Sequence, residues 1–228
     1  MYEVDLLIPT ARFVFSVEGD GVEVSPEHRS PEAHVEYARL RHERPLVGMT
    51  TFPNTLLLRG PRTIVVDPGL HLQNEPLIRA LGLRGLSAAD IDLVVLTHAH
   101  LDHAGACADL PRPVAVHERE TQASYWPLVG GLLDPLVLER LEGETGELTD
   151  GVEWARTPGH CEGHISLRVT TAKGVVALCG DTIGPGREEF DAMEPSGPEA
   201  TELLASWELI RAWRPTRIIA GHLPPFAP

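Results

Sequence analysis

The stretch Thr97-His98-Ala99-His100-Leu101-Asp102-His103 places four metal-capable side chains within six residues. It directly follows the apolar run Ile91-Asp92-Leu93-Val94-Val95-Leu96, which predicts a buried strand that ends at a sheet edge. Alternate side chains of an extended segment share a face, so His98 and His100 can bind one ion while Asp102 and His103 diverge toward a second. Imidazole and carboxylate ligands suit zinc, iron or manganese. The stretch therefore predicts a metal site at a strand end.

Further motifs with histidine or aspartate follow downstream. They are Thr157-Pro158-Gly159-His160, Cys179-Gly180-Asp181 after the apolar run 175–178, and Ala220-Gly221-His222 after Arg217-Ile218-Ile219. Upstream, Asn54-Thr55 precedes the predicted strand 63–66, which leads into Asp67-Pro68-Gly69.

With these motifs in this order, the chain resembles the metallo-β-lactamase fold superfamily, whose signature His-x-His-x-Asp-His corresponds to residues 98–103. The resemblance covers roughly residues 50–222. It implies an α+β fold in which two facing β-sheets with helices outside form a four-layer αββα sandwich. Hydrophobic periodicity alone predicts only α/β or α+β.

The resemblance also implies a dinuclear metal centre with three ligands for the first ion, three for the second and one bridge. These are His98, His100 and His160, then Asp102, His103 and His222, and finally Asp181. Two divalent ions, with Zn²⁺ as the first choice and iron or manganese as alternatives, lower the pKa of a shared water from about 16 toward about 7 and supply a metal-bound hydroxide. We expect the carboxylates of Asp102 and Asp181 to be essential for catalysis, and we expect no organic cofactor.

Several neighbouring residues have weaker assignments. Asp67 is expected to hydrogen-bond a ligand histidine, with a turn-forming role as the alternative. His164 is interpreted as structural rather than as a ligand, and Cys161 as a packing residue, because no partner that would activate its thiol can be named. Tyr125 and Trp126 are predicted either to line a substrate pocket or to pack in the core.

The resemblance favours a hydrolase of small esters, thioesters, lactones or related acyl compounds. Asp181 argues against a β-lactamase of the histidine-rich kind, which lacks this aspartate. Two alternatives stay open: a phosphodiesterase or nuclease, which predicts a channel of clustered arginines beside the metals, and a persulfide dioxygenase-like oxidoreductase. The latter would hold one iron in a site of the His98, His100 and Asp181 type.

Composition predicts one domain over residues 1–228, since 228 residues with 43% hydrophobic content suffice for one sizeable core. The net charge of -14 disfavours a nucleic-acid partner and leaves a small-molecule substrate. We find no apolar run of membrane-spanning length and no signal-peptide pattern, so a cytoplasmic location is expected. Three cysteines predict no disulfide framework. A homodimer is left open.

The elements expected from periodicity alternate between helices and strands. Helices are predicted at Asn74–Leu83, Glu118–Trp126, Leu132–Leu141 and Glu199–Trp213, and strands at Arg12–Val17, Val22–Val24, Val114–Val116, Val152–Arg156 and Ile165–Val169. The polar segment 26–45 is predicted to be an exposed, partly helical insertion that acts as a lid, as an oligomer contact or as a plain solvated excursion.

Overall fold

The structure is a computed structural model that describes residues 1–16, 21–24, 46–70, 74–183 and 200–228. The predicted insertion at 26–45 lies outside the described residues, as do Val17 and Glu199 at the ends of two predicted elements.

Within the described ranges, β-strands make up most of the regular structure. The strands are β1 (Glu3–Ile8), β2 (Ala11–Ser16), β3 (Gly21–Val24), β4 (Leu46–Phe52), β5 (Thr55–Arg59), β6 (Thr63–Val66), β7 (Leu93–Val95), β8 (Val114–His117), β9 (Leu138–Leu141), β10 (Thr145–Thr149), β11 (Val152–Arg156), β12 (Ile165–Thr171), β13 (Gly174–Gly180) and β14 (Arg217–Ala220). The α-helices are α1 (Asn74–Gly82), α2 (Leu101–Ala104), α3 (Trp126–Leu133) and α4 (Ala200–Ala212), with short 3-10 turns at Ala88–Asp90, Cys107–Asp109 and Glu118–Gln122.

Two large sheets face each other across the main core. One has six strands in the order β1-β5-β6-β7-β8-β9, and the other has five in the order β10-β11-β12-β13-β14. Their inner faces share one apolar cluster, to which Leu58 and Ile64 contribute from the first sheet and Trp154 and Leu167 from the second. A separate three-stranded sheet has the order β3-β2-β4.

Helices cover the outer faces of both sheets. On the six-stranded sheet, Leu57 of β5 packs in a cluster with Leu77 of α1 and Leu133 of α3. On the five-stranded sheet, Ile218 of β14 packs in a cluster with Trp207 of α4. Successive strand residues alternate between inner and outer clusters, as a pleated strand buried on both faces requires. The predicted αββα sandwich is therefore confirmed.

Strand direction brings the carboxyl ends of several strands to one edge of the sandwich. β6 and β7 are parallel neighbours in one sheet, and β13 and β14 are parallel neighbours in the other. β11 runs in the same direction as β13, because both are antiparallel to β12. The loops that follow these strands carry the histidine and aspartate motifs of the sequence.

Two of the predicted helices are wrong. Over residues 132–141, α3 ends at Leu133 and β9 follows, pairing in parallel with β8. Pro135 lies between the two elements and cannot continue a helix, so it overrides the helical spacing of the leucines. Over residues 118–126, a 3-10 turn covers Glu118–Gln122 and α3 begins only at Trp126.

The other predicted elements agree with the structure to within a few residues. Residues 200–212 form α4 and residues 74–82 form α1, where helices were expected. None of the helices in the described ranges is both long and apolar enough to cross a membrane.

Candidate metal centre

Three histidines from two loops converge at the strand ends. His98 and His100 follow β7, and His160 follows β11. The Nε2 atoms of His98 and His160 each lie 3.0 Å from Nδ1 of His100. In a tetrahedral zinc site with Zn–N distances of about 2.0–2.1 Å, neighbouring nitrogens lie roughly 3.3 Å apart. The spacing of these nitrogens therefore fits a shared ion.

A second group forms beside the first from Asp102, His103 and His222. The short helix α2 supplies the first two residues, and the loop after β14 supplies His222. The His222 Nε2 atom lies 3.2 Å from Oδ2 of Asp102, and the His103 Nε2 atom lies 3.8 Å from the same oxygen. The three potential ligand atoms lie within 4.8 Å of one another.

Asp181, directly after β13, lies between the two groups. Its Oδ2 atom is 3.6 Å from Nε2 of His160 in the first group and 3.4 Å from Nε2 of His222 in the second. Its Oδ1 atom is 3.4 Å from Nε2 of His103. The structure thus brings all seven predicted site residues into one cluster, with the predicted bridging residue in the middle.

Besides His222 Nδ1, two buried atoms in this cluster have no hydrogen-bond partner. They are His103 Nε2 and Asp181 Oδ1, which face each other at a distance longer than a good hydrogen bond. Buried polar groups are rarely left without a partner, because burial without one costs free energy. A cation held between the two atoms would satisfy both, so the residues present fit a metal ion.

Asp67 fixes the orientation of His103. Its carboxylate accepts hydrogen bonds from the backbone N–H and the hydroxyl of Thr97, at 2.8 and 2.7 Å. Its Oδ2 atom also lies 3.0 Å from Nδ1 of His103, which directs Nε2 of that ring into the cluster. The expected hydrogen bond from Asp67 to a site histidine is therefore present. Asp67 also has a φ of 48°, which aspartate tolerates better than most residues.

His164 has a structural role, as the sequence predicted. Its Nε2 atom accepts a hydrogen bond from the backbone N–H of Asp181 at 3.1 Å. Its Nδ1 atom lies 2.9 Å from the hydroxyls of both Thr157 and Thr182. Both ring nitrogens are thus occupied, and the buried ring connects the loop that carries Asp181 to the end of β11.

Helix α4 anchors two of the site loops from outside. The Ser206 hydroxyl donates to the carbonyl of Pro158, two residues before His160. The Trp207 indole N–H donates to the carbonyl of Thr182, next to Asp181. The helix thereby fixes loops from two strands of the same sheet against each other.

Asn54 anchors the loop that carries His222. Its side-chain amide donates to the carbonyls of Ala220 and Leu223, both at 2.7 Å. Its backbone N–H donates to the carbonyl of Gly221, also at 2.7 Å. Sequence reasoning assigned Asn54 only to the opening strands and missed this contact, which joins residues more than 160 positions apart.

Two effects shift the pKa values within the cluster: burial, which disfavours the charged form, and attraction between the histidines and the carboxylates. Burial alone would lower the pKa of His103, but the carboxylates of Asp181 and Asp67 outweigh it and hold that pKa well above its usual range. Burial likewise opposes a rise for His222, yet hydrogen bonds to Asp102 and Asp181 raise its pKa to about 9. Burial would raise the pKa of Asp181, but His103 and His222 hold it well below its usual range.

The residues beside the cluster are mostly packed. Tyr125 and Trp126 both pack against the apolar cluster under the six-stranded sheet, as one of the two predictions for them stated. The Tyr125 ring also lies 4.5 Å from the ring of His100, measured between centroids. Burial raises the pKa of the Cys161 thiol, with Glu120 adding to the effect, so Cys161 lacks the thiolate character of a nucleophile.

An αββα sandwich with histidines and aspartates gathered at one edge is the architecture of the metallo-β-lactamase fold. The family model of the metallo-beta-lactamase superfamily matches residues 49–222. Human metallo-beta-lactamase domain-containing protein 1 is 33% identical over 171 residues, which cover 74% of this chain and 60% of that protein. An N-acyl homoserine lactonase from Bacillus sp. is 28% identical over 138 residues, which cover 59% of this chain and 55% of that protein.

Solved structures agree with the sequence comparison. An N-acyl homoserine lactone hydrolase with the product N-hexanoyl-L-homoserine bound at its catalytic metal centre has a TM-score of 0.68 and 20% identity, over 96% of this chain and 92% of that one. The chain belongs to the metallo-β-lactamase superfamily. Its matched part spans little more than half the length of the two curated relatives.

Proposed function

We propose that this protein is a dinuclear metal-dependent hydrolase of small esters, thioesters, lactones or related acyl compounds. The observation that carries the proposal is the position of Asp181, whose carboxylate lies within 3.6 Å of imidazole nitrogens from both three-residue groups. A structural ion needs only four ligands in a closed site. Seven converging side chains suit two ions better than one.

In this proposal each side chain has a defined task. His98, His100 and His160 would hold one ion, Asp102, His103 and His222 would hold the other, and Asp181 would serve as a ligand shared by both groups. When bound, two such ions lower the pKa of a shared water and polarise the oxygen of the scissile group. The carboxylates of Asp102 and Asp181 offset the positive charge and set the spacing of the two groups, while Asp67 keeps His103 directed toward its ion.

The acyl substrate class rests on two lines of support. One relative is an N-acyl homoserine lactonase, an enzyme named for a small acylated lactone. Two arginines close in the chain to site segments are paired with surface carboxylates: Arg119, next to Glu120, with Glu162, and Arg156, at the end of β11, with Glu144. This pairing favours a neutral acyl substrate over a phosphodiester, which would recruit unpaired arginines.

Metal analysis combined with a substrate panel tests the proposal. We expect two zinc or manganese ions per chain and turnover of at least one short ester, thioester or lactone, abolished by chelation and restored by the metal. A single iron per chain with oxygen consumption on a persulfide would replace it with the oxidoreductase. Turnover of bis-p-nitrophenyl phosphate alone would replace it with the phosphodiesterase.

Removal of one histidine from each group should empty the two sites separately. His160→Ala is expected to lower occupancy of the first ion and His222→Ala that of the second, because each removes one of the few ligands of its group. Metal content after dialysis, measured by mass spectrometry, should fall from two ions toward one in each variant. Asp150→Ala is a suitable control, since Asp150 lies in an exposed turn and is none of the seven proposed ligands. Full occupancy in both site variants would disprove the ligand assignment.

Metal binding should release protons at neutral pH. In the ion-free protein, His222 with a pKa of about 9 and His103 with a raised pKa are both protonated at pH 7. Ligand imidazoles must be neutral, so the ions displace these protons and apparent affinity rises with pH up to about 9. The stability that protonated His222 gives the ion-free protein is present in full below pH 6.5 and is lost as pH rises through 9.

Titration calorimetry measures this release. The binding enthalpy at pH 7 should change linearly with the ionisation enthalpy of the buffer, and the slope gives the number of protons released. His222→Ala should release fewer protons than the parent. An enthalpy independent of the buffer would show that the two rings are already neutral.

A further inference from the structure

Glu120 is a buried carboxylate that receives hydrogen bonds from three separate chain segments. It lies in the 3-10 turn Glu118–Gln122 after β8 and has no exposed surface. Its Oε2 atom accepts from the backbone N–H of Ala99 and from the hydroxyl of Tyr125, both at 2.7 Å. Its Oε1 atom accepts from the thiol of Cys161 at 3.3 Å.

The three donors have one feature in common: each is next to a histidine of the first group. Ala99 stands between His98 and His100 in the chain, and Cys161 directly follows His160. The ring of Tyr125 packs on the ring of His100. In the described part of the chain, none of the hydrogen bonds of Glu120 reaches Asp102, His103 or His222, which form the second group.

The fit around Glu120 is close enough to require glycine at position 163. A Cβ atom on Gly163 would lie 2.5 Å from Oε1 and 2.6 Å from the backbone nitrogen of Glu120. The loop that carries His160 therefore presses directly on the turn that carries Glu120. Movement of this carboxylate would move that loop.

A buried carboxylate is costly unless hydrogen bonds or opposite charge offset the lost hydration. Among the described residues, Glu120 forms no ion pair with lysine or arginine, and its compensation comes from the three donors. Asp67 plays the corresponding part for His103 in the second group. Each three-residue group is thus supported by one buried acidic residue that is not itself a proposed ligand.

We propose that Glu120 is a positioning residue that fixes His98, His100 and His160 in the geometry that binds the first ion. The inference rests on the proposed function for its metal ligands. Glu120 acts through geometry rather than charge: it holds the backbone between His98 and His100 and the residue after His160 at fixed distances. Residues that orient metal ligands typically contribute about 10–100-fold to metal affinity.

Three substitutions of Glu120 separate the effect of side-chain length from the effect of charge. Glu120→Ala removes all three contacts. Glu120→Asp keeps the charge but shortens the side chain by one methylene, which withdraws the oxygens from their donors. Each substitution should lower the affinity for the first ion by about 10–100-fold. Glu120→Gln keeps the shape: its amide oxygen can accept from Ala99 and Tyr125, and its amide N–H₂ can face the sulfur of Cys161. We expect its affinity within about threefold of the parent, a small change on the scale of lost ligand support. Cys161→Ala removes only one of the three contacts, so it should lower the affinity for the first ion less than Glu120→Ala does.

Cobalt(II) titration provides a readout that does not depend on activity. Visible absorption gives the affinity for each cobalt ion. Hyperfine-shifted imidazole N–H resonances show which group binds the ion, because the first group has three imidazoles and the second has two. Circular dichroism confirms that each variant is folded. If Glu120→Ala fails to fold, the comparison of Glu120→Asp with Glu120→Gln decides.

The inference stands if Glu120→Asp loses the first ion selectively while Glu120→Gln retains it. It falls if Glu120→Asp binds the first ion with the affinity of the parent, or if its affinities for both ions drop equally. It also falls if Glu120→Gln loses as much affinity for the first ion as Glu120→Asp does. A parent protein that binds no pair of cobalt ions would refute the proposed function itself, before any variant is measured.

Discussion

Asp181→Asn should reduce hydrolysis of a model ester or lactone by about 10³-fold, equivalent to roughly 4 kcal/mol of transition-state stabilisation. The carboxylate of Asp181 lies within 3.6 Å of nitrogens from His103, His160 and His222, so it contacts both three-residue groups. Asparagine preserves the shape but removes the negative charge and directs an N–H₂ group at one of these nitrogens or at an ion. The expected loss exceeds the roughly 10–100-fold typical of residues that only support ligands.

Steady-state kinetics with saturating metal measure the effect, and two further aspartates calibrate it. Asp102→Asn should cost less, because in the cluster Asp102 contacts only His103 and His222 of the second group. Asp150→Asn, in an exposed turn, should leave activity unchanged. If Asp181→Asn retained activity within a few fold of the parent, or if Asp102→Asn were the more damaging change, Asp181 would not bridge the two ions.

The positions of the site residues could be predicted largely from local sequence. Each motif follows a short strand, and parallel strands end at the same edge of a sheet. Four of the seven residues also lie in one stretch, where helix α2 begins immediately after His100. A few residues of sequence therefore determine most of the local geometry, which is why the histidine-rich stretch is so informative.

The supporting contacts could not be predicted in the same way. Glu120 and Asn54 stand in segments whose sequence carries no metal-binding pattern. Their importance comes from hydrogen bonds to Ala99 and to the loop of His222, between residues that are distant in the chain. Such contacts depend on how the two sheets pack, and hydrophobic periodicity does not report on that packing.

The wrong helix at 132–141 has a different origin. Its leucines are spaced as in a helix, but Leu138 packs in the cluster under the six-stranded sheet and Leu141 in the cluster between the sheets. Residues three apart can reach opposite faces only in a strand, where side chains alternate. The signal that could have prevented the error was Pro135, which ends a helix at the residue before it.

Gly221→Ala should disrupt the metal centre through a single methyl group. A Cβ atom at this position would meet Oδ1 of Asp181 well inside van der Waals contact and would lie 3.1 Å from Cε1 of His103. The loop cannot easily withdraw, because the Gly221 N–H donates to Gly180 and its carbonyl accepts from Asn54. We expect displacement of Asp181, loss of at least one ion, and a fall in activity of about 10²-fold, the scale expected for a shift of 1 Å at a reacting centre.

The same methyl group should lower the free energy of unfolding of the ion-free protein by about 1–3 kcal/mol, as overpacking usually does. Gly131→Ala is the matched control: a Cβ atom there meets nothing within 4 Å in helix α3, so alanine should stabilise by about 0.5–1 kcal/mol. Urea unfolding of both variants without metal measures the difference.

A double-mutant cycle identifies the cause. If the methyl group acts by striking the Asp181 carboxylate, Gly221→Ala should destabilise much less in an Asp181→Ala background, where that carboxylate is missing. The two substitutions would then be strongly non-additive, as expected for residues in direct contact. Additive effects would show that the new methyl group meets some other atom, and that the closeness of Gly221 to Asp181 is not what requires glycine before His222.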